Sequence, residues 1–133
     1  MNSFVHLSMP DEVSISIEEN KLECQDCGRL YYSETVTSDE HGIRIEPFMP
    51  KDGHCFDCGS SNITRTGDAK ALEQTLVEYN TKKEDLLAFY NHHGLLVDFE
   101  VRAGYDDYAR LRDQIQFNIK HWEKSKHIYL FKL

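Results

Sequence analysis

Cys24-Gln25-Asp26-Cys27-Gly28 and, further on, Cys55-Phe56-Asp57-Cys58-Gly59 decide how this chain is read. All four cysteines of the protein lie in these two C-x-x-C-G segments, with 27 residues between Cys27 and Cys55. Two residues between thiolates let one tight turn aim both sulfurs at a common point. The glycine after each pair tolerates the positive φ that such a turn requires. Two such knuckles supply four ligands for a tetrahedral ion, and an all-sulfur set selects Zn²⁺. The predicted metal ligands are therefore Cys24, Cys27, Cys55 and Cys58. The competing readings are two disulfides, four unrelated buried thiols, or a set in which His54 displaces one sulfur.

The chain has 133 residues, which suits one domain or a small domain with an insertion. Its 23 Asp and Glu against 15 Lys and Arg give a net charge of −8. That balance argues against nucleic acid or an anionic membrane as a partner for the surface as a whole. No apolar run approaches the ~18 residues of a membrane span. Residues 1–10 lack the layout of a secretory signal and the Arg-rich character of a transit peptide. Thiolates kept for a metal imply a reducing, intracellular compartment or protection by the ion itself.

Outward from the knuckles, residues 22–67 read as short strands and turns: Leu30-Tyr31-Tyr32, the turn-rich Ser38 to Gly42, and Ile43-Arg44-Ile45 before Pro47 and Pro50. This stretch has little apolar surface, so the ion must supply much of its folding free energy, about 10 kcal/mol or more for structural zinc. Upstream, Phe4 to Leu7 suits a short strand. Pro10-Asp11-Glu12 reads as a helix start, whereas the alternation of Val13, Ile15 and Ile17 with serines reads as a strand, and the two readings stay open. Downstream, Asp68 caps a predicted helix to about Asn80 with Leu72, Leu76 and Tyr79 on one face. Thr81-Lys82-Lys83-Glu84 has the form of a capping box, which predicts a second helix carrying Leu86, Leu87, Phe89 and Tyr90 to Gly94. Leu95 to Val101 alternates as a strand with one wet face. Ala103-Gly104 is a turn, and Asp106 and Asp107 open a third helix with the face Tyr108, Leu111, Ile115, Ile119 and Trp122. The tail 127–133 is apolar for an exposed terminus.

The order of these parts resembles the adenylate kinases of the zinc-lid type. The resemblance is carried by Pro10-Asp11-Glu12-Val13, the two C-x-x-C-G knuckles with Tyr31 and a proline pair between them, Arg65-x-x-Asp68, Leu76-Val77-Glu78-Tyr79, and Leu86-Leu87-Ala88-Phe89-Tyr90 with Gly94. It spans about residues 7–122 and covers only the second half of such an enzyme. The fold it implies is an α/β fragment: a four-cysteine zinc-knuckle lid of short strands, plus three helices and one or two strands from the C-terminal part of the kinase core. The implied divisions are 1–21 as an N-terminal strand/helix segment, 22–67 as the zinc lid, 68–126 as a helix–helix–strand–helix remnant, and 127–133 as the apolar tail.

The family's Gly-rich phosphate loop, whose amides and Lys cradle phosphates, has no counterpart among the seven glycines here, and the monophosphate-binding segment is missing. Of the phosphate-clamping arginines the resemblance implies, Arg65 is kept and Lys21 replaces one without the planar two-donor fork. Ile17 and Thr75 stand at the other two positions. The vestigial nucleotide positions are thus Arg65 and Lys21. Phosphoryl transfer relies on positioning and charge stabilisation, and losing one charge-assisted contact typically costs ~2–4 kcal/mol at the transition state. No turnover, no catalytic residue and no nucleotide binding are therefore expected.

The expected function is a non-catalytic, zinc-binding accessory subunit of a larger protein assembly. Its protein partners would contact the edge of the 95–101 strand and the 127–133 tail. By analogy with the family, the setting is mitochondrial, with ciliary and cytoplasmic alternatives. Two other functions are half of a split adenylate kinase and an ATP-sensing lid without turnover. Tyr31 and Tyr32 either stack on a base or pack against the knuckles, His92 and His93 suit a helix C-terminus better than a metal, and Trp122 with the tail either docks a partner or packs back on this chain.

Overall fold

A computed structural model describes residues 3–131 of the chain, with side chains to residue 120. Among the described residues the fold is α/β, with three α-helices, seven short strands and a cysteine cluster. Strand β1 (Phe4–Ser8) lies parallel to β7 (Leu96–Glu100), with Phe4 opposite Leu96 and Ser8 opposite Glu100. The alternation predicted for 95–101 appears as buried Val97 and Phe99 against exposed Asp98. Asp98 accepts from the ring of His6, its register partner, at 3.0 Å. Each of these two strands has one unpaired edge among the described residues.

The open choice at residues 11–19 resolves as helix α1 (Asp11–Glu19). Pro10 stands immediately before it at φ −59°, and Asp11 and Glu12 occupy its first turn, where negative charge is favoured. Helix periodicity places Val13 and Ile17 on one face, where Val13 joins Val36 and Ile43 in an apolar cluster and Ile17 packs against it. Ile15 does not join that cluster.

Three antiparallel strands follow in the order β3-β2-β6: β2 (Lys21–Cys24) is central, with β3 (Leu30–Tyr32) and β6 (Ile63–Arg65) on its flanks. Strands β4 (Val36–Ser38) and β5 (Ile43–Ile45) form a hairpin closed by a single 3₁₀ turn and Gly42 at φ 64°, a left-handed conformation that favours glycine. The hairpin is not an independent flap. Its inner residues Val36 and Ile43 share a core with α1, and the Arg44 amide donates to the Arg102 carbonyl at 2.8 Å, beyond β7. The stretch 22–67 therefore has more apolar anchorage than its sequence suggests, and the cluster crosses the division drawn between 21 and 22.

The predicted helix break at residue 81 is absent. Helix α2 runs unbroken from Ala69 to His92, capped by the Asp68 carboxylate, which accepts from Ala71 N–H at 3.0 Å. Thr81 does not cap; its hydroxyl donates back to the Val77 carbonyl at 2.8 Å. Leu72, Leu76, Leu87 and Tyr90 face inward at helical spacing, whereas Val77, Tyr79, Leu86 and Phe89 are exposed. Helix α3 spans Tyr108–Phe131, and a 3₁₀ turn, Gly104–Asp107, precedes it. The α3 face begins as expected, with Leu111 and Ile115 half-buried, but Tyr108 and Ile119 are exposed. Trp122 and the 127–133 tail lie outside the residues whose side chains are described.

Candidate metal centre

The two knuckles are built alike. Cys24 N–H donates to the Arg29 carbonyl at 2.9 Å, and Cys55 N–H donates to the Ser60 carbonyl at 2.8 Å. The amides of Gly28 and Gly59 then reach back to the carbonyls of Cys24 and Cys55 at 2.8 and 2.9 Å. Gly28 and Gly59 adopt φ of 78° and 73°, so a side chain at either position would strain the turn. Pairing of Cys24 with Ile63 across β2 and β6 brings the second knuckle over the first. Further contacts bind the two together: Arg29 to Asp57 at 2.6 Å, and the Ser60 hydroxyl to the Asp26 carboxylate.

This architecture gathers four sulfurs within 4.8 Å of one another, with Cys24–Cys58 and Cys27–Cys55 each at 3.5 Å. All four cysteines are free, and those separations are far beyond the ~2.05 Å of a disulfide. Tetrahedral zinc at ~2.3 Å from sulfur would space its ligands by about 3.8 Å, so the donor set fits a metal ion of that size. Cys24 and Cys55 are buried while Cys27 and Cys58 are exposed, an asymmetry that leaves the ion a solvent approach. His54, the alternative ligand, does not join the cluster.

Tyr31, for which the sequence leaves base stacking and packing against the knuckles open, lies beside the sulfurs. It is fully buried, its hydroxyl donates to Cys55 Sγ at 3.1 Å, and the same oxygen accepts from Phe56 N–H at 2.9 Å. Its ring stacks on Phe48 at 5.6 Å, so of its two readings the packing one holds. That hydroxyl is the first cause of a Cys55 thiol lowered to about 6, with the Cys58 and Asp57 amides adding to it. Cys27 moves the other way. The Arg29 amide favours its thiolate, but the bond shared with Cys55, burial, and the sulfurs of Cys58 and Cys24 outweigh it and push the thiol up to about 12. For Cys58 the Ser60 amide pulls down, and the Cys24 sulfur with burial prevails, raising it. Without an ion Cys55 thus favours its thiolate while Cys27 and Cys58 hold their protons, and a divalent cation completes the site by displacing those protons.

Lys21 and Arg65, expected from the resemblance as vestigial nucleotide positions, are engaged within the chain. Lys21 pairs with Glu18 at 2.6 Å, and Arg65 donates to the Glu19 carbonyl at 3.1 Å, closing the C-terminal end of α1. Thr75 donates to the Ala71 carbonyl at 3.1 Å, and Ile17 packs against the hairpin. His93 caps α2 and meets Phe89 edge-on, in keeping with a helix-terminal role. Asp107, read only as a helix opener, accepts from the amides of Arg102 and Ala103, each at 2.8 Å, and from Arg110 at 3.0 Å. Its sole sequence signal was an acid next to a helix start. Among the described residues no helix is long and apolar enough to cross a membrane.

No family model matches the chain. It is 30% identical over 105 residues to the adenylate kinase of Methanococcoides burtonii, an alignment covering 77% of this chain and 47% of that enzyme. The chain thus spans about half the length of the curated relative it matches; the four-cysteine cluster that a metal ion fits is a feature of this chain.

Proposed function

We propose that this chain is a zinc-held, non-catalytic relative of adenylate kinase that serves as an accessory subunit of a larger protein assembly, in a mitochondrial setting. Zinc would be held by Cys24, Cys27, Cys55 and Cys58, and the chemistry it supplies is structural: four thiolate bonds that fix β2, β3, β6 and the second knuckle as one body. The protein's own residues prepare the site, with knuckle amides and the Tyr31 hydroxyl aimed at sulfur.

One contrast carries the reading. The sulfurs converge, while the four positions at which the resemblance implies phosphate-clamping arginines are committed to packing, an ion pair or backbone carbonyls: Ile17, Lys21, Arg65 and Thr75. Phosphoryl transfer needs donors aimed at the reacting phosphates, and these are aimed elsewhere. Partner contacts are assigned to the unpaired edge of β7 and to residues 127–133, and an unpaired strand edge is a template for pairing with another chain.

The test is an assay of ADP disproportionation on the zinc-loaded chain, alone and in the complex captured with it from mitochondria. The proposal expects no ATP formation in either and a stable complex that is lost when the β7 edge is blocked. Turnover that disappears in Arg65→Ala would instead identify half of a split kinase. Heat of ATP binding without turnover would identify a sensor.

A further inference from the structure

The two strands of the β1–β7 sheet differ at their outer edges. Phe4 N–H donates to the Leu95 carbonyl at 2.7 Å, and Val101 N–H donates to the Ser8 carbonyl at 2.8 Å. Backbone groups alternate sides along a strand, so Phe4, His6 and Ser8 serve the ladder with β7 while Val5 and Leu7 turn theirs outward. On β7 the same alternation turns Leu96, Asp98 and Glu100 outward, and side chains of α3 reach them there. Gln114 donates to the Asp98 carbonyl at 3.4 Å, and Arg110 donates to the Glu100 carbonyl at 2.6 Å. A strand pairing at β7 must first displace both. The outward amides and carbonyls of Val5 and Leu7 have no hydrogen-bond partner among the described residues.

Strand β1 also lacks the devices that blunt an edge. Phe4-Val5-His6-Leu7-Ser8 contains no Asp, Glu, Lys, Arg, Pro or Gly. Leu7 is 55% exposed, although its register partner Phe99 is buried. Two strands alone make a marginal sheet, and a parallel pair is normally covered on both sides.

This edge is complementary to itself. A second β1 laid antiparallel about a two-fold axis at His6 sets Val5 of each copy opposite Leu7 of the other. Each such pair exchanges two backbone hydrogen bonds, four in all. The two cross-strand side-chain pairs are then apolar on apolar, and each covers an exposed Leu7. No charged side chain on the strand opposes the approach. The net charge of −8 acts only through long-range repulsion, which salt screens.

We infer that β1 is a homodimerisation edge: two copies of this chain pair antiparallel through Val5 and Leu7 and build one four-stranded sheet, β7-β1-β1-β7. The inference goes beyond the proposed function and does not depend on it.

The experiment is sedimentation equilibrium with amide-exchange NMR on the full zinc-loaded chain, at low and at high protein concentration. The expected result is a dimer that dissociates on dilution and is strengthened by salt. The Val5 and Leu7 amides are expected to exchange slowly only in the dimer, and those of His6 and Ser8 slowly in both states. Leu7→Lys, at an exposed site, is expected to weaken dimerisation at least ~10-fold while His6 and Ser8 stay protected. If that variant loses the His6 and Ser8 protection, the exchange of Val5 and Leu7 in the unaltered chain decides alone. A monomer at every concentration would overturn the inference. So would a dimer untouched by Leu7→Lys in a folded chain, or Val5 and Leu7 exchange that ignores concentration.

Discussion

The Tyr31 hydroxyl joins two knuckle atoms at once, donating to Cys55 Sγ at 3.1 Å and accepting from Phe56 N–H at 2.9 Å. It is a fully buried polar group whose donor and acceptor capacities are both used beside a metal ligand. Tyr31→Phe keeps the ring and its stack on Phe48 but strips Cys55 of its donor and leaves the Phe56 amide unpaired. Zinc affinity is expected to fall about 10–100-fold, the usual cost of losing a group that orients a ligand. Competition with a colorimetric chelator measures this, and an unchanged affinity would show that the hydroxyl only packs.

Proton release on metal binding follows from the thiols. With Cys27 pushed up to about 12 and Cys58 raised, both carry protons at about neutral pH in the ion-free protein, while Cys55, lowered to about 6, is already ionised. Zinc must displace a proton from each of the first two, so affinity rises with pH across neutrality. Calorimetry in buffers of different ionisation enthalpy is expected to give at least two protons released per zinc. Fewer than one would contradict the thiol assignment.

Asp107 governs acid stability at the turn after β7. Burial disfavours its charge, but the Ala103 and Arg102 amides and Arg110 prevail, holding its carboxyl below the usual range. A group whose folded pKa is depressed stabilises fully above its unfolded value, near 4, and loses that contribution as pH falls through the folded pKa. Asp107→Asn is expected to destabilise by about 2 kcal/mol at pH 7, the loss of charge-assisted bonds to two amides and a guanidinium. Melting of both proteins from pH 7 to pH 3 should show the difference shrinking with acid, and a difference independent of pH would refute the assignment.

Gly67 marks the junction of α1, β6 and α2. A Cβ there would lie 1.8 Å from the Glu18 carbonyl oxygen and 2.9 Å from its carbon, both backbone atoms that cannot swing aside. Gly67→Ala is expected to cost about 3 kcal/mol through displacement of α1 from the β6 end. Denaturant unfolding checks the value; Gly67 is not at positive φ, so the cost is that of the clash alone, and an unchanged stability would refute it.

What could be read along the chain was local. The knuckles, with their glycines and two-residue spacings, are set by a few adjacent residues, and the alternation at 95–101 survives as buried Val97 and Phe99. What misled was also local. Thr81-x-x-Glu84 has the composition of a cap, yet a cap forms only if the chain leaves helical geometry before it. The inward face of Leu76, Leu87 and Tyr90 carries α2 straight through instead. The Tyr31–Cys55 bond and the Asp107 turn were not legible, because each joins groups whose meeting depends on tertiary packing. Ile17 is intermediate: its departure from the family pattern is visible in sequence, and its place against Val36 and Ile43 only in the fold.

X-ray absorption at the zinc edge of the purified chain tests the central claim most directly. One zinc per chain with four sulfurs at about 2.3 Å and no lighter ligand is the predicted result. A nitrogen or oxygen in the coordination sphere, or metal-free protein with its cysteines paired as disulfides, would contradict it.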